Sequence, residues 1–262
     1  MRNGRPIIDS LLSRLGGGDV AALARAISLV DEGGDVGEQL CSGVKGQRQN
    51  TCVFGVTGPA GCGKSSLVNA LIRELRSHDL PVAVLAIDPS SPISGGAVLG
   101  DRVRMGEHSG DDGVFIRSLS SRGQHGAMAD CIPQFVDLLA FSGWRCVIIE
   151  TVGAGQSDTA ITEVADVCVV VSAPGMGDEV QSIKAGILEI GDVLVVNKSD
   201  QAGTDELMKQ LKAMLRLRSG VATEVPVIAT NSLLGEGVVE LADIFRNRLS
   251  ITGADVERTS AD

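Results

Sequence analysis

Seven short runs rich in β-branched residues alternate along this chain with longer stretches of helical periodicity, and few architectures satisfy that pattern. The runs are 51–57 (TCVFGVT), 81–88 (PVAVLAID), 113–119 (GVFIRSL), 145–150 (RCVIIE), 166–172 (DVCVVVS), 192–198 (DVLVVNK) and 224–230 (EVPVIAT). They are almost continuously apolar, as strands buried on both faces must be. Segments 64–77, 126–141, 178–189, 204–218 and 237–249 carry the helical period. Strand–helix alternation predicts an α/β fold with a doubly wound, mostly parallel sheet and right-handed crossovers. Ligands of such sheets bind beyond the carboxyl ends of the strands, so chemistry-bearing motifs are expected there.

Composition removes several other classes. Hydrophobic residues are 44 % of the 262, which is too many for a disordered chain. A net charge of −10 argues against a nucleic-acid or anionic-membrane binder. Aromatics are only 2 %, so the core must be aliphatic. The six cysteines, 41, 52, 62, 131, 146 and 168, show neither C-x-x-C nor zinc-finger spacing, and buried reduced thiols in a cytoplasmic protein are expected. No run approaches the ~18 apolar residues of a membrane span, and the first residues lack a secretory apolar region.

Along the chain, 1–50 reads as a short N-terminal helical extension and linker. Two helices within 6–30 break at Gly16-Gly17-Gly18, Asp19 caps the second, and 31–50 is the polar, Gly-rich linker. Residues 51–250 form the α/β domain, and 251–262 read as a flexible polar tail.

The first strand runs into Gly58-Pro59-Ala60-Gly61-Cys62-Gly63-Lys64-Ser65-Ser66 and then a helix, the G-x-x-x-x-G-K-S phosphate loop in its proper setting. Backbone N–H groups of such a loop converge on phosphate oxygens, and the helix adds its N-terminal partial positive charge. Lys64 is expected to reach the β- and γ-phosphates, and the Ser65 hydroxyl to ligate Mg²⁺. Cys62 stands at a variable position, either a small tolerated residue or a redox-sensitive thiol. Asp88 and Glu150 end the second and fourth strands, where hard carboxylate oxygens suit Mg²⁺. Glu150-Thr151-Val152-Gly153 resembles a D-x-x-G switch with Glu for Asp; the Gly153 N–H would then meet the γ-phosphate. Asp101 lies in a Gly-rich segment and either ligates the metal in a first switch or caps a helix.

The sixth strand leads into Asn197-Lys198-Ser199-Asp200, an N-K-x-D sequence. The Asp200 carboxylate can accept from guanine N1–H and the 2-amino group. Adenine offers neither donor and would leave a buried carboxylate unpaired. Each lost charge-assisted bond is worth about 1.5–3 kcal/mol, so GTP is preferred to ATP. Asn197 is expected to tie this loop to the phosphate loop and the Lys198 stem to pack on the base. After the seventh strand, the backbone N–H near Ser232 either bonds guanine O6 or belongs to a simple strand-to-helix loop.

Four further segments are more specific: DPSSPISGGAVLGDRVRM (88–105), SRGQHGAMAD (121–130), ETVGAGQSD (150–158) and APGMGDEVQSIKAGILEIGDVLVVNKSD (173–200). Over roughly 50–245 the chain resembles the MeaB/ArgK-type GTPases, members of the SIMIBI class of P-loop proteins. That resemblance implies GTP/GDP and Mg²⁺ as ligands. It also implies slow intrinsic hydrolysis catalysed around Lys64, Asp88, Glu150 and Gly153. The implied partner is an adenosylcobalamin-dependent acyl-CoA mutase, such as methylmalonyl-CoA mutase, whose cofactor loading, protection or reactivation the G protein gates. Asp178, Gln181 and Lys184 then belong to a third switch contacting the mutase; read from the residues alone, 174–188 is a loop capping a helix at Asp178. Family members commonly dimerise through a long C-terminal helical arm; the dozen residues after the last expected helix argue against that mode here and leave a homodimer of another kind open. Other readings of the same scaffold are a nickel-insertion GTPase, which calls for His- or Cys-rich clusters, a small-molecule kinase, and a non-catalytic nucleotide-dependent binding module.

Overall fold

The computed structural model describes residues 5–88, 106–108, 110–120, 125–151, 161–176, 190–217 and 225–259. Its centre is a seven-stranded parallel sheet. The strands are β1 (Cys52–Thr57), β2 (Val82–Asp88), β3 (Val114–Ser120), β4 (Cys146–Thr151), β5 (Val167–Ser172), β6 (Val193–Val196) and β7 (Val227–Ala229). Their order is β3-β2-β4-β1-β5-β6-β7, with every pairing parallel. The chain builds outward from β1 on one side, then returns past it from β4 to β5, which leaves β1 in the middle and its carboxyl end beside the reversal of strand order. Loops of an open α/β sheet part at such a reversal and leave room for a ligand.

Seven helices are described: α1 (Arg5–Gly16), α2 (Val20–Glu32), α3 (Asp35–Val44), α4 (Lys64–Ser77), α5 (His125–Phe141), α6 (Thr204–Leu217) and α7 (Val238–Thr259). Alternate residues of each strand feed opposite faces of the sheet. Val53, Ala83, Leu85, Val147 and Ile149 pack with Leu23 and Ile27 of α2, Leu40 of α3 and Phe135 of α5. On the other face Phe54, Val56, Val84, Ile148 and Val169 pack with Leu67 and Leu71 of α4 and Leu241 of α7. Phe54 stacks on Phe245 of α7 with ring centroids 3.7 Å apart, so two of the few aromatics lock the last helix to the central strand. A smaller cluster joins Val170, Leu194 and Val196 to Leu207 and Leu211 of α6.

Two expectations need correction. Residues 31–50 are not all linker: α3 occupies Asp35–Val44 with Leu40 and Val44 fully buried. The glycines that suggested a linker are close-contact positions. A side chain at Gly37 would press on the Leu29 carbonyl of α2, at 2.8 Å, and one at Gly43 on Leu12 of α1, at 2.8 Å. The tail expected at 251–262 is helical through Thr259, as a continuation of α7. The Asp19 cap is present, its carboxylate accepting from the Ala22 N–H at 3.0 Å. The helix expected at 178–189 lies outside the described residues. Among the described residues, no helix is long and apolar enough to cross a membrane.

Because Leu40 shares one core with the sheet, Leu40→Ala should cost about 2–5 kcal/mol of unfolding free energy, measured by urea denaturation. A residue in a solvated linker would leave the midpoint unchanged.

Candidate functional site

The loop between β1 and α4 has a geometry that only glycine allows at two points. Gly58 has φ +143°, and a Cβ there would collide with the Val171 carbonyl oxygen of β5. Gly63 has φ +92°, and its Cβ would lie 2.5 Å from the Asn197 side-chain nitrogen. The loop is therefore drawn tight against two neighbouring strand ends. Lys64 opens α4 and is buried, its ammonium donating to the carbonyls of Gly58 at 2.8 Å and Pro59 at 2.9 Å. This sets one positive charge inside the ring of loop peptides, at the N-terminus of a fourteen-residue helix. The arrangement suits a polyphosphate.

Ser65 donates its hydroxyl to Glu150 Oε1 at 2.6 Å, and Glu150 is almost fully buried at the end of β4. β1 and β4 place Val56 beside Glu150, so the carboxylate meets the loop directly. Next to it the Thr151 hydroxyl donates to Thr57 at 3.2 Å. Asp88 ends β2, two residues beyond Ala86, which pairs with Glu150. Its backbone thus reaches the same edge; its side chain lies outside the described residues, as do Asp101, Gly153, Asp178, Gln181 and Lys184. Ser65 and Glu150 are hard oxygen donors side by side at the mouth of the loop, a pair that fits Mg²⁺.

Cys62 is fully buried and burial pushes its thiol pKa up, against the pull of Lys64. Of the two readings of this thiol, burial favours the structural one: a raised pKa keeps it protonated and unreactive.

The base-reading side is organised by Asn197. Its amide nitrogen donates to the carbonyls of Cys62 at 3.0 Å and Gly63 at 3.3 Å. Its oxygen accepts from Thr230 Oγ1 at 3.1 Å, Ser232 Oγ at 2.6 Å and Ser232 N–H at 3.3 Å. One buried side chain thus laces together the phosphate loop, the N-K-x-D loop and the 230–232 loop. Lys198 adopts φ +57° and its ammonium donates to the Gly61 carbonyl at 2.7 Å, bridging the same two loops.

Two details differ from the sequence reading. The Ser232 N–H, one candidate for guanine O6, is directed at Asn197 instead. Asp200, expected as a buried carboxylate, is exposed at the rim, and Asn231 Nδ2 donates to its Oδ1 at 3.0 Å. Asn231 is itself fixed, because its side-chain oxygen accepts from the N–H groups of Leu233 at 3.1 Å and Leu234 at 3.3 Å. The selectivity expected of Asp200 rests on the direction of its oxygens more than on burial, and Asn231 sets that direction.

Sequence reasoning also passed over Asn69, one turn beyond Ser65. Its amide donates to Glu107 at 2.8 Å, and its oxygen bonds His108 Nε2 at 2.7 Å. Seven residues on, Arg76 makes two 2.9 Å bonds to Asp111 and holds that carboxyl below its ordinary range. The segment before β3 is therefore clipped along one stripe of the phosphate-loop helix. A lone Asn inside the apolar run SLVNALI was the available signal.

Asn231→Ala should raise the dissociation constant for GDP about three- to tenfold in nucleotide titrations, as expected for one lost hydrogen bond. It should narrow the margin over ADP and lower the unfolding free energy by about 1 kcal/mol, the usual net cost of lost side-chain hydrogen bonds.

A family model described as methylmalonyl Co-A mutase-associated GTPase MeaB matches residues 23–261. A Pyrococcus abyssi relative, named as a GTPase, is 42 % identical over 241 residues, covering 90 % of this chain and 74 % of the relative. GTPase ArgK of Escherichia coli is 37 % identical over 193 residues, covering 72 % of this chain and 58 % of ArgK. A fused isobutyryl-CoA mutase of Geobacillus kaustophilus is 34 % identical over 238 residues, which span 86 % of this chain but 22 % of that protein. Among solved structures, a LAO/AO transport system kinase superposes with TM-score 0.71 at 24 % identity, covering 97 % of this chain and 83 % of the kinase chain. The hydrogenase maturation factor HypB of Archaeoglobus fulgidus superposes with TM-score 0.58 at 20 % identity, covering 81 % of this chain and 98 % of HypB. Both likenesses show the α/β P-loop fold.

Proposed function

This chain belongs to the family of methylmalonyl Co-A mutase-associated GTPases of the MeaB type and hydrolyses GTP, and from that premise we propose that it serves an acyl-CoA mutase as a GTP-driven chaperone, gating adenosylcobalamin loading, protection or reactivation. The observation that carries the partner is the fused isobutyryl-CoA mutase, in which a region 34 % identical to this chain is part of the same polypeptide as a mutase. The HypB likeness supports the nickel-insertion alternative less, since it is one of fold and the chain has only three histidines.

The site residues divide the work in this reading. Backbone N–H groups of the Gly58–Ser66 loop, Pro59 excepted, hold the phosphates, and Lys64 neutralises charge building on the β–γ bridge and γ-phosphate oxygens. Ser65 and Glu150 would hold Mg²⁺, with Asp88 and Asp101 as further carboxylates, and the ion when bound would supply additional positive charge to the phosphates. The Gly153 N–H orients the γ-phosphate. Asp200, aimed by Asn231, accepts from guanine N1–H and the 2-amino group, while the Lys198 stem covers the base. Asn197 keeps the two halves of the site at fixed spacing. Asp178, Gln181 and Lys184 carry the nucleotide state to the mutase.

Lys64→Ala should lower GTP turnover at least a hundredfold in a phosphate-release assay; near-normal activity would refute its placement. Asp200→Asn should reduce the preference for guanosine over adenosine nucleotides by about 10- to 100-fold in competition binding. For the partner, gel filtration with an adenosylcobalamin-dependent acyl-CoA mutase should show a complex in at least one of the GDP, GTP-analogue and nucleotide-free states. Absence of a complex in all three would sink the chaperone reading while leaving the GTPase intact.

A further inference from the structure

The nucleotide motifs occupy the carboxyl edge of the sheet, yet the opposite edge is also hollow. At the amino ends of β2 and β4 lies a cavity of about 450 Å³, within the size range of small-molecule sites. Leu80, Pro81, Cys146 and Leu249 give it an apolar lining, and Arg145 and Arg246 add two guanidinium groups beside His78. A second cavity of about 620 Å³ shares Gly143 and Arg145 with the first and is lined by Gln47, Asn50 and Thr51 together with Ala140, Phe141 and Trp144. Arg145 therefore stands at the junction of an apolar chamber and a mixed one.

The charges around that junction are unequal. Arg246 is paired with Asp243 on its own helix. His78 lies 3.8 Å from Glu74. Arg145, by contrast, has no carboxylate partner among the described residues; its Nε makes only a long 3.5 Å bond to the Asn50 carbonyl. Among the described residues this guanidinium is uncompensated, in a chain with ten excess negative charges. The Arg145 guanidinium lies directly against α7, where a Cβ at Gly253 would meet its terminal nitrogen. A rigid fork of donors beside an apolar lining matches one ligand chemistry, a carboxylate or phosphate head on an apolar arm.

We propose that this paired cavity is a second ligand site, taking a small amphiphilic anion with its head on Arg145 and its apolar arm between Leu80, Pro81 and Leu249. The site is separated from the phosphate loop by the length of a strand, about 20 Å, and rests on neither the GTPase chemistry nor the mutase partner.

Calorimetric titration of the full chain, kept loaded with GDP and Mg²⁺, tests it with four probes. Octyl phosphate and octanoate carry the two possible heads, octanol lacks the charge, and inorganic phosphate lacks the arm. Either amphiphilic anion should bind at one site per chain, at least tenfold more tightly than octanol and inorganic phosphate, and which of the two binds better distinguishes a phosphate from a carboxylate source. Arg145→Gln should weaken that binding at least tenfold, and Ser250→Trp, at the exposed rim, should block the apolar chamber; both should retain wild-type GDP affinity. The proposal is overturned if neither anion binds, if octanol or inorganic phosphate binds as well as the amphiphilic anions, or if Arg145→Gln binds them like the wild type.

Discussion

The hydrogen bonds of Asn197 hold this site in one piece. Three loops leave three different strands, β1, β6 and β7, and nothing in sheet geometry alone fixes their mutual distance. A single buried amide does so by donating to the phosphate loop and accepting from the 230–232 loop. Buried side-chain networks of this kind are valuable when every member is satisfied and costly when one is lost. The glycine at position 63 belongs to the same constraint, because the amide nitrogen approaches so closely that no Cβ fits. Sequence, loop conformation and inter-loop spacing are thus one feature seen at three scales.

The sheet provides the complementary rigidity. β1 is covered on both faces and flanked by β4 and β5, so the point from which the phosphate loop departs is among the least deformable in the molecule. Glu150 arrives from β4 on one side, while Gly58 presses on Val171 of β5 on the other. Clips between α4 and residues 107, 108 and 111 extend the same fixed frame outward. A GTPase needs such a frame, since phosphoryl transfer gains mostly from preorganised charge and little from covalent chemistry.

Much of this was legible in the sequence because its signals are local. Strand runs buried on both faces, the spacing of the phosphate loop and the order of N-K-x-D after the sixth strand depend only on neighbours in the chain. The helix starting at Lys64 and ending at Ser77 was readable to the residue. What escaped depends on partners distant in sequence. Gly37 and Gly43 read as flexible until α2 and α1 are seen pressed against them. The 251–259 stretch reads as tail because it is polar, yet it continues α7 past Arg145. Asn231 gave no sign of its hold on Asp200, and Asn69 gave only its oddity within an apolar run.

The three N-terminal helices have a meaning beyond their place before the phosphate loop. Leu15, Leu23, Ile27, Leu40 and Val44 are the wall against which Val53, Leu85 and Ile149 close. The nucleotide-handling half of the molecule is accordingly not a detachable cassette. A graft or minimal version begun at the first strand would leave that side of the sheet with α5 but without the three helices that close the rest of it, and the motifs would survive on paper while much of the scaffold that aims them did not.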